Sequence, residues 1–194
     1  MFSKRRGKDP SLSDEELVAA LQRHMDAERF GLLYDRYSAK VFQKCLGMTR
    51  DRDLAKDLTH DIFLKAFVNL PKFDHRSRFG TWLYSITYNY CLDQLRKAQR
   101  KRSEDLNEDV EASTQDEDAY EAELLGMRAE HLDAVLASIG ADERALLLMK
   151  YQDDLSVKEI MEMMSLGESA VKMRIMRARE RALAKYRELY PEER

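Results

Sequence analysis

Charge is segregated along this chain in a way that prevents one continuous core from running through it. RKAQRKR, from Arg96 to Arg102, carries five cations, and the next stretch, Ser103 to Glu123, carries ten acids and no Lys or Arg. A block of like charge without apolar periodicity repels itself and has no face to bury. Residues 101–124 therefore read as an acidic flexible linker, with separate cores on either side. The 194 residues are 44% hydrophobic and 36% charged, with only 7 Gly and 3 Pro. Together with helical spacing on both flanks, this predicts an all-α protein of two small helical domains, over 13–100 and 125–190. The first dozen residues, MFSKRRGKDPSL, are basic at the start with no apolar run after them. They read as a disordered tail rather than a signal peptide, over 1–12. No run approaches the roughly 18 apolar residues of a membrane span, so no membrane insertion is expected. Cys45 and Cys91 sit among apolar residues without partner spacing, which suits core thiols in a reducing cytoplasm.

The second domain ends in LSVKEIMEMMSLGESAVKMRIMRARERALAKY. Ser156 with Glu159 three residues on is a capping box, each side chain satisfying a free backbone N–H. Ile160, Met163 and Met164 follow as one apolar stripe. SLGE then breaks it, with Gly167 expected to supply the backbone freedom of a tight turn. A second helix from Ser169 is expected to bury Ala170, Val171, Ile175 and Ala178. Between Ala170 and Arg187 lie seven cations (Lys172, Arg174, Arg177, Arg179, Arg181, Lys185, Arg187) and a single acid, Glu180. An ordinary solvated helix face intersperses signs. Cap, turn and basic helix in this order are the pattern of a helix-turn-helix, whose cations displace counterions condensed on DNA.

In the first domain Ser13 and Glu16 form another capping box ahead of Leu17 and Leu21. Phe30, Leu33, Tyr34, Tyr37 and Val41 make a clean helical stripe. In DRDLAKDLTHDIFLKAFVNL, Leu54, Ala55, Leu58, Ile62 and Ala66 point one way, and Asp57, Asp61, Leu64 and Val68 line the opposite side. A solvated face has little reason to hold Leu and Val beside two carboxylates, so this mixed stripe suits a partner surface. The weaker alternative is that another helix of the same domain covers it. Beyond Pro71 comes the polar loop KFDHRSRFG and then TWLYSITYNYCLDQLRKAQRKR. Phe79, Trp82, Leu83, Ile86 and Tyr90 are expected as its core face, with Tyr84 and Tyr88 on one flank and Thr81, Ser85, Asn89 and Arg96 on the other. Aromatic planes beside amides, hydroxyls and cations are what single-stranded nucleic acid requires, although aromatic residues on helices more often pack inside a domain.

The order RYSAKVF, DLTHDIFLKAF, FDHRSRFGTWLYSITYNYCLDQLRK, acidic linker, helix-turn-helix resembles a bacterial sigma factor of the extracytoplasmic-function group (ECF, group 4) within the sigma-70 family. The resemblance covers about 25–100 and 125–188. It implies that 13–100 is sigma region 2, for polymerase docking and for recognising and melting the −10 element. It likewise implies that 125–190 is region 4, for the −35 element. Asp57, Asp61 and Leu64 match the segment that docks on core RNA polymerase. The loop Phe73, Asp74, His75, Arg76, Ser77, Phe79 matches the one that captures an extruded base of the −10 non-template strand, with Trp82, Tyr88, Asn89 and Arg96 following on the helix that holds the −10 region. Ser169, Lys172, Met173, Arg174, Met176, Arg177 and Arg179 match the helix that enters the major groove at −35. Family loops carry a glycine where this chain has His75, and many relatives have proline where it has Gly167. A small polar residue is common where it has Met173, which can touch a thymine methyl but cannot hydrogen-bond a base edge.

The resemblance further implies promoter DNA, core RNA polymerase and an anti-sigma factor as partners, in the cytoplasm. Neither a cofactor, nor a metal, nor a catalytic residue is expected. Extruding a base costs a few kcal/mol, which a loop pocket and stacking can offset without ATP. The linker, about 25 residues at about 3.3 Å each, reaches roughly 80 Å, more than two turns of DNA at about 34 Å per turn. Two rival classes are weaker. A metal phosphohydrolase could use the His60–Asp61 pair with Asp57, but the remaining histidines, His24, His75 and His131, lie on other segments. A free-standing helix-turn-helix regulator would need specific duplex binding without polymerase, against the chain's net charge of −3 and single reading helix.

Overall fold

The computed structural model of the protein describes residues 12–102, 127 and 129–191. The expected tail, apart from Leu12, and most of the expected linker lie outside them. Helices and turns, with no strand, make up the described residues. The chain divides into two compact units between Cys91 and Leu92, within a helix. The last buried residues of that helix among those described are Thr87, Tyr88, Cys91 and Leu92, and residues 96–100 are exposed.

In the first unit α1 (Asp14–Arg23) begins at the expected box: the Ser13 N–H donates to Glu16 Oε2 at 2.7 Å and the Glu16 N–H to Ser13 Oγ at 3.2 Å. Asp26 caps α2 (Ala27–Thr49), and Asp51 caps α3 (Arg52–Asn69), accepting the N–H groups of Asp53 and Leu54 at 2.9 and 3.0 Å. A 3-10 turn, Leu70–Lys72, leads to the loop before α4 (Phe79–Arg102). Leu17, Val18 and Leu21 of α1 are buried, as are Leu33, Val41, Cys45 and Met48 of α2 and Ala55, Leu58, Ile62 and Ala66 of α3. Leu54, expected in that stripe, is 37% exposed. It is the third residue of α3, where the cap at Asp51 rather than packing fixes the chain.

Two polar ties hold α1 against this core. Arg36 donates to Asp14 Oδ1 at 2.6 Å and to the Leu12 carbonyl at 2.7 Å. The Tyr37 hydroxyl donates to the other Asp14 oxygen; burial first, and then that carboxylate, hold the phenol well above its ordinary range. A Cβ at Gly80 would meet the Tyr37 ring at 3.1 Å, so with any side chain there the ring would have to give by a few tenths of an ångström for α4 to start against this junction. The second tie, from Gln22, belongs to the loop and is described with it.

The buried face of α4 is not the expected one. Phe79 and Leu83 are buried as read, but the face continues through Thr87, Tyr88, Cys91 and Leu92, while Trp82, Ile86 and Tyr90 are half-buried. Both stripes have helical period and share Phe79 and Leu83. Thr87 joins the core because its hydroxyl donates to the Leu83 carbonyl at 2.9 Å and so leaves no polar group unsatisfied. Cys91 packs its thiol on Cys45, with the sulfurs 3.7 Å apart.

The second unit contains α5 (Ala129–Ser138), α6 (Ala141–Leu147) continued by a π turn (Leu148–Gln152), α7 (Val157–Met164) and α8 (Glu168–Leu189). Arg144, itself buried, donates to the carbonyls of Leu136 at 2.6 Å and Ile139 at 3.1 Å. It thereby satisfies groups at the end of α5 that the helix leaves open. The Ser156–Glu159 box forms as read, with the Ser156 N–H donating to Glu159 Oε2 at 2.9 Å. The turn that follows departs from expectation. Ser165 takes the left-handed conformation, at φ 54°, whereas Gly167 is extended, at φ −75°, and serves as the N-cap of α8. Ala170, expected inside, is exposed, and α8 buries Val171, Ile175, Ala178, Ala182 and Leu183. A left-handed residue bearing a Cβ costs roughly 1–2 kcal/mol. Ser165→Gly is therefore expected to raise stability by about 1 kcal/mol, read as an increase in melting temperature. Gly167→Ser, with nothing within 4 Å of the added Cβ, should be tolerated or mildly stabilising. The reverse ranking in thermal unfolding would mean that the turn uses the freedom of Gly167.

Candidate nucleic-acid interface

The loop between the 3-10 turn and α4 is pinned from below and open above. Phe73 and Phe79 are buried, Asp74, His75 and Arg76 are exposed, and Ser77 is half-buried. Asp74 organises its rim: Oδ1 accepts the Arg76 N–H at 3.2 Å, and Oδ2 pairs with Arg76 Nε at 2.9 Å. His75 stands at φ 59°, a left-handed position that a side chain adopts only when its surroundings hold it there. Phe73 lies between two rings, 4.8 Å from that of His75 and 5.0 Å from Trp82.

What holds the loop is a residue missed in the sequence. Gln22, on α1, donates through Nε2 to the carbonyls of Leu70 at 3.0 Å and Phe73 at 2.7 Å, and its Oε1 lies 2.7 Å from His75 Nε2. The available signal was a lone amide four residues after Val18, on the stripe that α1 buries.

Along α4 the expected −10 residues separate. Trp82 is half-buried next to the loop, and Asn89 and Arg96 are exposed. Tyr88, expected as a stacking plane, is 1% exposed and offers no face to a base. Tyr84 stays half-buried, with the buried Lys44 ammonium 4.2 Å from its ring centroid and 5.8 Å from that of Tyr88. Lys44 was likewise not anticipated, because one cation in an aromatic-rich helix reads as surface until its neighbours are known.

The mixed stripe on α3 is exposed, with Leu64 at 62% and Val68 at 71%, and Asp57 and Asp61 exposed beside them. Asp61 is tied to α4, accepting the Tyr90 hydroxyl at 2.8 Å, and Lys65 lies 4.9 Å over the same ring.

On α8 the cations fall into two groups. Arg179 is half-buried with its guanidinium 5.8 Å over the Tyr151 ring, Arg181 pairs with Glu143 at 3.6 Å, and Lys185 pairs with Glu188 at 2.7 Å. Near the N-terminal end, Ser169, Lys172, Met173, Arg174 and Arg177 are all exposed, and Met176 is half-buried between them and the core. Lys172 pairs with Glu168 at 2.7 Å, an exposed contact that holds that carboxyl below its ordinary range. Arg174 and Arg177 form no ion pair among the described residues. Electrostatic readiness is thus concentrated in the first turns of the helix, the part that meets base edges when a helix enters the groove by its N-terminus. Among the described residues no three His, Cys, Asp or Glu side chains converge to hold a metal ion, and no helix is long and apolar enough to cross a membrane.

The family model described as Sigma-70 region 2 matches residues 33–101, and that described as Sigma-70, region 4 matches residues 129–181. The ECF RNA polymerase sigma-E factor of Haemophilus influenzae is 30% identical over 177 residues, covering 87% of this chain and 93% of that protein. The chain belongs to the ECF RNA polymerase sigma factors of the sigma-70 family. The ECF RNA polymerase sigma factor SigW of Bacillus subtilis is 28% identical to this sigma factor over 176 residues, 84% of this chain and 92% of that protein. In fold, the chain is similar to the sigma factor RpoE solved in complex with the anti-sigma factor NepR from Bartonella quintana. That likeness has a TM-score of 0.60 at 18% identity and covers 87% of this chain and 100% of that one. Membership of this family sets aside the free-standing regulator.

The burial of Tyr88 in this sigma factor has a direct test. Tyr88→Ala should cost about 3–5 kcal/mol of stability, as truncation of a large buried ring does, whereas Tyr84→Ala should cost clearly less. Both are read by thermal unfolding of the DNA-free protein. Unchanged stability in Tyr88→Ala, with loss of single-strand binding alone, would return Tyr88 to the DNA surface.

Proposed function

We propose that this sigma factor, a member of the group 4 subdivision, docks on core RNA polymerase through the α3 stripe of Asp57, Asp61 and Leu64. In this reading α8 reads the −35 duplex with Met173, Arg174 and Arg177, and the loop from Phe73 to Phe79 captures a base of the melted −10 strand beside Trp82 and Asn89. The domain limits at 13–100 and 125–190, joined by the 101–124 linker, belong to the same proposal. The observation that carries it is the pairing, on one chain, of a region 2 match with a region 4 match whose helix keeps Arg174 and Arg177 exposed without ion pairs among the described residues.

Promoter opening then needs no catalytic residue in this chain, because each step is binding: duplex contact, base extrusion, and retention of the extruded base by pocket and stacking. Two modest contacts on one tether gain effective concentration when both elements are correctly spaced, and polymerase fixes that spacing. Work with polymerase on chromosomal DNA places the protein in the cytoplasm. Control by an anti-sigma factor is supported by the Bartonella quintana sigma factor, which was solved with NepR.

Two experiments test this reading. Leu64→Asp puts a charge where 62% exposure leaves packing untouched; it should preserve helicity and weaken core polymerase binding by about tenfold or more. Unchanged affinity would remove the docking assignment. Arg174→Ala should relax preference at one or two −35 base pairs by about 1–3 kcal/mol, measured on a panel of single-base duplex variants. An equal loss on every duplex would assign Arg174 to phosphate instead of bases.

A further inference from the structure

Gln22 spends every hydrogen-bonding group of its amide on the loop before α4. Its two N–H bonds go to the carbonyls of Leu70 and Phe73, at 3.0 and 2.7 Å. That fixes which way the amide faces, so Oε1 is the atom 2.7 Å from His75 Nε2. An amide oxygen only accepts, hence His75 Nε2 carries the proton and donates. The same side chain therefore grips the start of the loop by its backbone and the strained residue, His75 at φ 59°, by its ring. The Phe73 ring lies 4.8 Å from that of His75 and is itself buried against Phe79 and Trp82.

We propose that Gln22 is a positioning residue for −10 recognition: from α1 it holds the base-capturing loop in its binding shape before DNA arrives. A loop already ordered loses less freedom on binding, so affinity rises without a new contact to DNA. A flipped base is read largely by the shape of the pocket it enters, so loosening the loop lowers discrimination as well as affinity. This inference rests on the reading of the Phe73–Phe79 loop as the base-capturing element.

The test uses polymerase holoenzyme assembled with full-length variants and single-stranded oligonucleotides carrying the −10 element or its single-base changes. Gln22→Met keeps the length of the side chain and removes all three bonds. It should weaken binding of the preferred −10 strand about tenfold and flatten base preference at one position. Affinity of the variant for core polymerase and for −35 duplex should not change. Gln22→Glu should behave like Gln22→Met, because a carboxylate has no N–H for the two carbonyls. His75→Phe, at an exposed site where the domain cannot unfold for lack of it, keeps a ring over Phe73 and breaks only the Gln22 contact. It should shift base preference in the same direction, and the double variant should lose less than the sum of the two. Asp74→Ala with Arg76→Ala, changing the loop rim itself, is the control for the underlying reading. If the rim variant weakens −10 binding while Gln22→Met and His75→Phe leave affinity and base preference unaltered, the positioning role is overturned and the loop assignment survives. If the rim variant also has no effect, the loop is not the capturing element and the inference falls with that reading.

Discussion

The rotation of α4 about its own axis decides what the first unit can show to DNA. Thr87 sits fully buried at the middle of that helix, its hydroxyl returned to the Leu83 carbonyl, and Cys91, one turn later, rests on Cys45. With these two pointing inward, Tyr88 must follow them into the core, and Trp82 and Asn89 must turn toward solvent. A polar residue thus sets the orientation of an aromatic helix, because a hydroxyl satisfied within its own helix can be buried while an amide such as Asn89 is costly to bury. Gly80 completes the arrangement by letting the first turn of α4 close on Tyr37, and Asp14 ties that tyrosine and Arg36 to α1.

The second unit solves a similar problem with a cation. Arg144 is buried, and its guanidinium takes up carbonyls at the end of α5, so hydrogen bonds to the backbone help to compensate a charge in the interior. Arg181 reaches from α8 to Glu143, on the turn of α6 next to it. The rear of α8 is fastened through Arg179 on Tyr151 and Arg181 on Glu143, and at the front Arg174 and Arg177 stay exposed without an ion pair among the described residues.

Features fixed by neighbours in sequence were legible. Both capping boxes, at Ser13–Glu16 and Ser156–Glu159, form as the spacing indicates, since donor and acceptor lie within one turn. The all-α architecture, the inward stripes of α2 and α3 from Leu33 to Ala66, and the exposed stripe ending in Leu64 and Val68 were legible from period alone. Features settled by tertiary choice were not. Two equally periodic stripes competed on α4, and only the match to α2 selected the one containing Tyr88. The turn before α8 was misread because glycine is the usual left-handed residue, while here Ser165 adopts that conformation and Gly167 is spent as a cap. Gln22 gave only a lone amide on the α1 stripe, because two of its three partners are the backbone carbonyls of Leu70 and Phe73, whose positions the sequence does not show.

Leu148–Gln152 closes its hydrogen bonds one residue wider than an α-helix, as in the Asp153 N–H that donates to the Leu148 carbonyl at 3.0 Å. A helix advances about 100° per residue, so one surplus residue turns the chain beyond it by that angle. Tyr151 arrives under the Arg179 guanidinium with the turn already made. In terms of descent, this is the geometry that a single-codon insertion into an unbroken helix would produce. It marks Leu148–Gln152 as the place where region 4 holds one residue more than an unbroken helix would, between the N-caps at Gly140 and Ser156.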